Sequence, residues 1–389
     1  MSRFLFVVPP LAGHVYPAAG VAQALAGRGH EVAWAGSEAR LRPMLGPGAT
    51  VYPTGMRLHR GRSDLGTAAL KSLWEGFVIP LARFTLPAVE KAVEGYRPDV
   101  LAVDQHALAG ALAAQRHGLP WATMCASAME LTQPLRARPK VDAWLRGHLA
   151  ALEAEAGLPH DTSRDLRFSP HLVIAFTGAA LTGDAAFPGH FALVGAALQA
   201  GRPGGAGFPW ERLDPRRRHV LVTVGTLAQD IAAESTGFYT RVAQALQPLG
   251  DRVQAIVIAP AGVVPGAPDH LLTVERAPVL DLMPHLDAVV CHGGLNIVCE
   301  ALSQAVPLVV APIRHDQPII AAPVAAAGAG IRVRFARVTP GQLRAAVTAV
   351  LDEPSYRAAA RRISDSFAAA GGSQAAAERL EKLSQTSAG

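Results

Sequence analysis

The segment Asp287–Gln317, DAVVCHGGLNIVCEALSQAVPLVVAPIRHDQ, contains the pattern that decides the fold. Ala288–Cys291 is a short apolar run, typical of a strand that is buried on both faces. A His-Gly-Gly turn follows, then a helical pattern from about Leu295 to Gln304, a second apolar run and a loop that ends in Asp-Gln. This order predicts a strand–helix–strand unit of a parallel sheet.

The His-Gly-Gly turn predicts a diphosphate site. Gly293 and Gly294 lack side chains where the chain enters the helix, so backbone N–H groups can point outward at its positive end. His292 adds a donor, and the amide of Asn296 lies in the first helical turn. A glycine-rich turn with no ligand is the alternative, and His-Gly-Gly alone does not decide between them.

The loop after the second strand adds a second indication of a ligand. Asp316 and Gln317 lie at the carboxyl end of the neighbouring strand, about 4.8 Å away. That spacing suits a sugar whose phosphates lie at His292, and it favours a functional site over a bare turn.

Composition limits the function classes. The chain has 389 residues, of which 50% are hydrophobic and 17% charged, enough for two hydrophobic cores. The net charge is +5, but the arginines are scattered and the longest basic run is Arg216–Arg218, which argues against a nucleic-acid partner. Cys125, Cys291 and Cys299 lie in apolar segments without metal-ligand spacing, as expected of reduced core thiols in a cytoplasmic protein. The apolar run Phe4–Val8 is too short for a signal peptide, and no stretch approaches the ~20 residues of a membrane span.

Strand and helix patterns alternate along the whole chain. Gly13-His14 is expected in the loop after the first strand, and a partly helical region from 61 to 96 is expected to break at Pro80 and Pro87. The predicted strands are Phe4–Val8, Glu31–Ala35, Thr50–Tyr52, Asp99–Asp104, Trp121–Ala126, His171–Phe176, Ala192–Gly195, His219–Val224, Val253–Ile258, Leu271–Glu275, Ala288–Cys291, Leu308–Ala311 and Gly330–Arg334.

A Gly-, Pro- and Arg-rich segment interrupts the alternation and predicts a flexible linker over 201–218. We therefore predict one Rossmann-like domain over 1–200 and a second Rossmann-like domain over 219–389. Open parallel sheets bind ligands at the carboxyl ends of their strands, so the active site is expected in a cleft between the domains.

Four motifs in this order resemble the nucleotide-sugar-dependent family 1 glycosyltransferases of the GT-B fold. The closest resemblance is to the bacterial enzymes that make macrolide, polyketide and carotenoid glycosides. The motifs are GHVYPAAGVAQALAGRGHEV from residue 13, VTVGT at 222–226, HGGLNIVCEAL at 292–302 and PLVVAPIRHDQP at 307–318. The resemblance covers essentially the whole chain. It implies an α/β fold of two Rossmann-like domains that face each other across a cleft. In that fold the domain over 1–200 binds the acceptor, the domain over 219–389 binds the nucleotide sugar, and the last helix packs back towards the first domain.

The resemblance also implies roles for particular residues. His14 corresponds to the general base on the acceptor hydroxyl, and Asp104 to the carboxylate that orients it. The implied donor-binding residues are Gly225, Thr226, Arg276, Ala277, His292, Gly293, Gly294, Asn296, Glu300, Asp316 and Gln317. Glu300 is assigned to a ribose hydroxyl, and Asp316 with Gln317 to the sugar hydroxyls.

The residues by themselves leave alternatives open. A histidine after a strand is often only a surface or capping residue, and Asp104 suits the cap of a helix that starts near Ala107. His106 is a rival partner for Asp104. Glu300 shares a helix face with Asn296 and on local pattern is a solvated residue.

The expected function is an inverting transfer of a sugar from a UDP- or dTDP-sugar to a small, largely apolar acceptor. No cofactor or metal is expected, since a helix dipole and N–H donors neutralise the leaving diphosphate and there is no acidic DxD motif. The alternatives are an epimerase-type relative and a non-catalytic nucleotide-binding relative. An NAD oxidoreductase is disfavoured because Gly328-Ala329-Gly330 precedes a strand rather than joining a strand to a helix. The sequence allows a homodimer.

Overall fold

The computed structural model describes residues 1–55, 67–159, 161, 165–183, 186–202, 207–225, 232–264 and 268–386. The chain forms two compact units: unit 1 is Met1–Gly201 with Ala370–Gly389, and unit 2 is Arg202–Ala369. Within the described ranges, every helix is too short or too polar to cross a membrane.

Unit 1 contains a parallel sheet whose seven described strands run in the order β3-β2-β1-β4-β5-β6-β7. The strands are β1 (Arg3–Val7), β2 (Glu31–Gly36), β3 (Val51–Pro53), β4 (Val100–Asp104), β5 (Trp121–Cys125), β6 (Leu172–Ala175) and β7 (Phe191–Leu193). The helices of unit 1 are α1 (Ala12–Gly27), α2 (Glu38–Leu45), α3 (Thr67–Leu73), α4 (Ile79–Tyr96), α5 (Leu108–Arg116), α6 (Ala128–Thr132), α7 (Pro139–Glu155) and α8 (Ala179–Thr182).

Unit 2 repeats the arrangement with six described strands in the order β10-β9-β8-β11-β12-β13. The strands are β8 (Arg218–Thr223), β9 (Val253–Ile258), β10 (Leu271–Val274), β11 (Ala288–Cys291), β12 (Leu308–Val310) and β13 (Gly330–Arg332). The helices that follow β8 in the chain are α9 (Ala232–Leu246), α10 (Val279–Leu282), α11 (Leu295–Ser303), α12 (Gln317–Ala326), α13 (Pro340–Asp352), α14 (Pro354–Ala370) and α15 (Gly372–Thr386).

The predicted α/β class is confirmed, and every predicted strand is present with small differences at its ends. In each unit the first strand lies between the second and the fourth, the order of a doubly wound nucleotide-binding sheet. The strands next to this point are buried except at the first residue of β1 and the first two of β8, which accounts for their largely apolar sequence.

The last helix belongs to unit 1. Ala376, Ala377 and Leu380 of α15 are fully buried in the same core as Val15 and Leu25 of α1. At the rim of this contact, Glu381 accepts hydrogen bonds from Arg28 at 2.6 Å and lies 3.1 Å from His30. The C-terminal segment therefore completes the core of the unit that begins the chain.

The expectation of a loop at Gly13-His14 is wrong. Both residues lie in the first turn of α1, where the backbone N–H groups of His14 and Val15 donate to the carbonyl of Leu11, each at 3.0 Å. Gly13 lowers helix propensity by about 1 kcal/mol, a cost that the buried face of α1 outweighs.

The expectation of helix breaks at Pro80 and Pro87 is also wrong. Helix α4 contains both prolines and continues to Tyr96. Pro80 lies in the first turn of α4, where a missing N–H is tolerated, and it follows a π-helical stretch at Trp74–Val78. Pro87 lies in the interior, so the packing of the buried face of α4 overrides its local preference.

The predicted linker is tied to unit 2 at its described residues. The side chain of Gln254 accepts from the backbone N–H of Asp214 and donates to the carbonyl of Arg212, each at 2.8 Å. Arg202 pairs with Glu300. Residues 203–206 lie outside the described part of the chain.

Gly110 of α5 and Gly147 of α7 differ in how closely neighbouring atoms approach them. A Cβ at Gly110 would lie 2.8 Å from a methyl of Val103 and 2.9 Å from Cβ of Val7, whereas a Cβ at Gly147 of α7 meets nothing within 4 Å. We expect Gly110→Ala to lower the free energy of unfolding of unit 1 by about 1–3 kcal/mol through overpacking. Gly147→Ala should raise it by about 0.5–1 kcal/mol through helix propensity. Urea denaturation of both variants checks this, and equal shifts of the same sign would contradict it.

Candidate functional site

Two clusters of predicted residues lie at carboxyl ends of strands, one in each unit. In unit 1, His14 follows β1 and Asp104 ends β4, and these strands pair in parallel with Val7 beside Val103. Nδ1 of His14 lies 2.9 Å from Oδ2 of Asp104, and the two side chains are 13% and 1% exposed. A carboxylate accepts hydrogen bonds, so Nδ1 of His14 carries the proton and Nε2 has a lone pair.

The structure also shows what the rival partners of Asp104 do. Asp104 does not cap helix α5, whose N-cap position is occupied by Ala107 without a side-chain hydrogen bond. His106 donates its backbone N–H to Oδ1 of Asp104 at 2.9 Å, while Nε2 of its ring lies 3.2 Å from Oε1 of Glu130. His14 is therefore the imidazole that Asp104 holds.

Among the described residues, His14, Asp104 and His106 offer ligand atoms within 4.8 Å of one another. Two of these atoms, Nδ1 of His14 and Oδ2 of Asp104, are already joined by an ordinary hydrogen bond. The cluster has the geometry of a hydrogen-bond network, and we assign no metal to it.

In unit 2, the ring of His292 lies between two glycines at the ends of β8 and β11. A Cβ at Gly225 would approach Cε1 of His292 to 2.5 Å, and one at Gly294 would approach its Nε2 to 2.8 Å. Gly225 also has φ = 70°, in the left-handed region that favours glycine. Gly225, His292 and Gly294 are thus in contact, and both glycines are required for the ring to fit.

His292 is a neutral donor rather than a charged one. It is only 9% exposed, and burial lowers its pKa to about 4. Its Nδ1 has no hydrogen-bond partner among the residues that the structure describes. A buried polar atom without a partner is uncommon in a folded protein, and it suits a position that a ligand completes.

The predicted diphosphate and ribose contacts at Asn296 and Glu300 are joined to each other. Nδ2 of Asn296 donates to Oε1 of Glu300 at 2.9 Å, and Nη2 of Arg202 donates to the same oxygen at 2.6 Å. Glu300 is buried rather than solvated, which raises its pKa, while Arg202 and Asn296 oppose that rise. The carboxylate therefore has protein partners of its own.

Gln317 and Asp316 lie beside the His292 turn. A Cβ at Gly293 would be 2.7 Å from a methyl of Val310 and 3.5 Å from the backbone oxygen of Gln317. The side-chain oxygen of Gln317 accepts the N–H groups of Ile313 and Arg314 at 2.8 and 3.0 Å, so this side chain closes the loop before α12. Asp316 occupies the N-cap position of α12 without a side-chain cap bond.

The remaining predicted donor contacts lie in the loop after β10 or outside the described residues. Arg276 is exposed, and Ala277 accepts the N–H of Val279 at 2.9 Å in the loop after β10, the edge strand of its sheet. Strands β9 and β8 lie between β10 and β11, the strand that precedes His292. Thr226 lies outside the described residues.

Sequence reasoning missed two charged residues at these clusters, Arg202 and Glu130. Arg202 lies in a Gly- and Pro-rich segment that indicates only a linker. Glu130 follows CASAM, a stretch with no motif around it. For Arg202 and Glu130 alike, the sequence offers one indication of a role, a single charged residue in an otherwise glycine-rich or apolar segment.

Comparisons with known proteins agree with this architecture. Residues 244–383 match the family model described as erythromycin biosynthesis protein CIII-like, C-terminal domain. The 4'-demethylrebeccamycin synthase of Lentzea aerocolonigenes is 29% identical, over 95% of this chain and 96% of its own length. Demethyllactenocin mycarosyltransferase of Streptomyces fradiae is 28% identical, over 98% of this chain and 87% of its own length.

A solved structure shows the same fold. The glycosyltransferase VinC in complex with dTDP aligns with a TM-score of 0.77 and 21% identity, covering 99% of this chain and 100% of that one. The chain therefore has the two-unit α/β fold of GT-B glycosyltransferases, is similar along nearly its whole length to bacterial natural-product glycosyltransferases, and matches the erythromycin biosynthesis protein CIII-like model over residues 244–383.

Proposed function

We propose that the protein transfers a sugar, with inversion, from a UDP- or dTDP-sugar to a hydroxyl of a small, largely apolar acceptor. The observation that carries this proposal is the hydrogen bond between Nδ1 of His14 and Oδ2 of Asp104, which leaves Nε2 of His14 as a base. Support for the donor class comes from a structural neighbour of the same fold that is in complex with dTDP.

The proposed step begins at the acceptor. Nε2 of His14 takes the hydroxyl proton as the oxygen attacks the anomeric carbon, and Asp104 stabilises the resulting imidazolium. The bond from that carbon to the diphosphate oxygen breaks, and its electron pair leaves with the diphosphate. Attack from the side opposite the leaving group inverts the configuration.

The donor contacts are proposed for unit 2. The first N–H groups of α11 and the neutral ring of His292 donate to the diphosphate, whose charge lies at the positive end of the helix. Glu300 is proposed for the ribose, and Asp316 with Gln317 for the sugar hydroxyls. Gly225, Gly293 and Gly294 leave room for these contacts, Asn296 offers its second amide hydrogen, and Thr226, Arg276 and Ala277 stay proposed contacts.

Removing the base tests the proposal directly. We expect His14→Ala to lower kcat by about 10²- to 10⁴-fold, the usual contribution of a general base. Asp104→Asn should cost as much: an amide oxygen that accepts from His106 turns its NH₂ group towards Nδ1 of His14, which moves the ring proton to Nε2. Glycoside formation from UDP- or dTDP-glucose and a panel of apolar phenols, followed by mass spectrometry, checks this.

His117→Ala is the matched control, because His117 is exposed at the end of α5 in the same unit. Equal product from His14→Ala and the native protein would overturn the base assignment. Nucleotide binding without turnover on any acceptor would favour a non-catalytic relative, and a change in the donor sugar without transfer would favour an epimerase. The anomeric configuration of the product, read by NMR, tests inversion.

The neutral state of His292 gives a second prediction. His292→Gln keeps an uncharged N–H donor and should weaken dTDP or UDP binding only a few-fold, whereas His292→Ala removes the donor. Loss of a hydrogen bond to a charged group is worth about 1.5–3 kcal/mol, roughly 10- to 150-fold in Kd. Isothermal calorimetry at neutral pH measures both variants.

His270→Gln is the control for this substitution. His270 is also 9% exposed and also has a pKa lowered by burial, but it precedes β10 at the opposite edge of the sheet. Equal losses in His292→Gln and His292→Ala would show that the imidazole acts through charge and not as a neutral donor.

We propose that the transfer needs no metal cofactor, since N–H donors and the helix dipole neutralise the leaving group. Protein treated with EDTA should keep its turnover within experimental error. A loss that Mg²⁺ or Mn²⁺ restores would contradict the proposal, and measuring the His14→Ala variant alongside keeps this result separate from the base assignment.

A further inference from the structure

A second buried carboxylate, that of Glu130, is linked to the His14–Asp104 pair through hydrogen bonds to its neighbours in the chain. Glu130, on α6, is 2% exposed, and its Oε2 accepts from Nε2 of Gln105 at 2.6 Å while its Oε1 lies 3.2 Å from Nε2 of His106. The side-chain oxygen of Gln105 in turn accepts the N–H of Ser127 at 3.3 Å. Glu130 is thus joined to both residues that directly follow Asp104.

The charge on Glu130 fixes the direction of these hydrogen bonds. Burial alone raises the pKa of Glu130, but His106, Arg167 and Ser127 together lower it to about 2. A carboxylate accepts at both oxygens, so Nε2 of His106 is an N–H donor. Arg167 is itself held by Asp165 through two hydrogen bonds of 2.8 and 2.6 Å.

His106 carries this constraint to the base. Its backbone N–H donates to Oδ1 of Asp104, and its ring lies 4.9 Å from the ring of His14, centroid to centroid. The Trp74 indole also contacts the His106 ring in an edge-to-face arrangement, with 6.1 Å between the ring centroids. The orientation of the His106 ring therefore sets one wall of the space that His14 occupies.

We propose that Glu130 is a positioning residue for the transfer, resting on the proposed role of His14 as the base. Through Gln105 and His106 it holds the segment after β4 so that Asp104 presents Oδ2 to Nδ1 of His14. Glu130 touches neither substrate. It acts by keeping the His14 ring in the tautomer and orientation in which Nε2 accepts a proton.

Glu130→Gln breaks this arrangement with little change in volume. A glutamine that accepts from His106 turns its NH₂ group towards the NH₂ group of Gln105, and Gln105 must rotate and release Ser127. We expect kcat to fall about 10- to 100-fold, the usual loss when the partner of a functional side chain is removed. The KM for the donor should stay within about twofold, since donor contacts are not altered.

Glu155→Gln is the matched control. Glu155 is an exposed glutamate of the same unit that forms a two-bond ion pair with Arg83 at 2.7 Å. This variant should keep native kcat and KM. Equal kcat in Glu130→Gln and the native protein would overturn the proposal.

A measurement without substrate keeps the proposal separate from the proposed function. In protein labelled with ¹⁵N-imidazole histidine, the signals that disappear in His14→Gln identify His14. We expect one Nδ1–H tautomer of His14 in the native protein and in Glu155→Gln, and a mixture of tautomers in Glu130→Gln. An unchanged His14 spectrum in Glu130→Gln overturns the positioning role even if no acceptor has been found. If the native protein shows no turnover but Glu130→Gln changes the His14 spectrum, the result contradicts the proposed function and supports the positioning role.

If Glu130→Gln fails to fold, the double variant Glu130→Met with His106→Phe replaces the carboxylate and the imidazole by apolar groups of similar size, so neither partner of that contact is left alone. The variant keeps a ring beside His14 and the backbone N–H that bonds to Asp104, but it removes the 2.6 Å acceptor of the Gln105 amide. The proposal expects the same loss of kcat and the same mixture of His14 tautomers. Native values in this double variant would overturn it.

Discussion

The parallel pairing of the first and fourth strands of each sheet is the constraint on which both clusters depend. In unit 1 this pairing of β1 with β4 brings Asp104 to the start of α1. In unit 2 the pairing of β8 with β11 sets Thr223 beside Cys291, and so Gly225 near His292. Strand order changes direction at this point, and the helices that follow the paired strands lie on opposite faces, which opens a crevice at the carboxyl ends. The same strand pairing thus brings together the residues of the His14 cluster in unit 1 and those of the His292 cluster in unit 2.

The two clusters handle buried charge in opposite ways. In unit 1, Asp104 and Glu130 accept hydrogen bonds from several surrounding donors, and His106, Arg167 and Ser127 lower the pKa of Glu130 to about 2. At His292 burial without a carboxylate partner keeps the ring uncharged, with a pKa of about 4. A base must accept a proton reversibly near neutral pH, whereas a donor to a diphosphate needs only its N–H. Each imidazole therefore has the surroundings that its proposed task requires.

Much of the fold could be predicted because it is encoded locally. Apolar runs of four to six residues define the strands, and their alternation with helices indicates parallel sheets, whereas the strand order is known only from the structure. The errors at His14, Pro80 and Pro87 have one cause: a local preference of Gly or Pro against helix was overridden by burial of a helix face. Pairing of His14 with Asp104 requires β1 and β4 to be neighbours, as they are in the sheet of unit 1.

Side-chain partners could not be predicted in the same way, because they join residues far apart in the chain. Arg202 and Glu300 are 98 residues apart, and Gln105 and Glu130 are 25 apart. At Glu300 the consequence is chemical. Burial raises the pKa of this carboxyl, and Arg202 and Asn296, which both donate to Oε1, oppose the rise. The local pattern places Asn296 and Glu300 on one helix face but contains no sign of Arg202, so the surroundings of this carboxyl follow only from the fold.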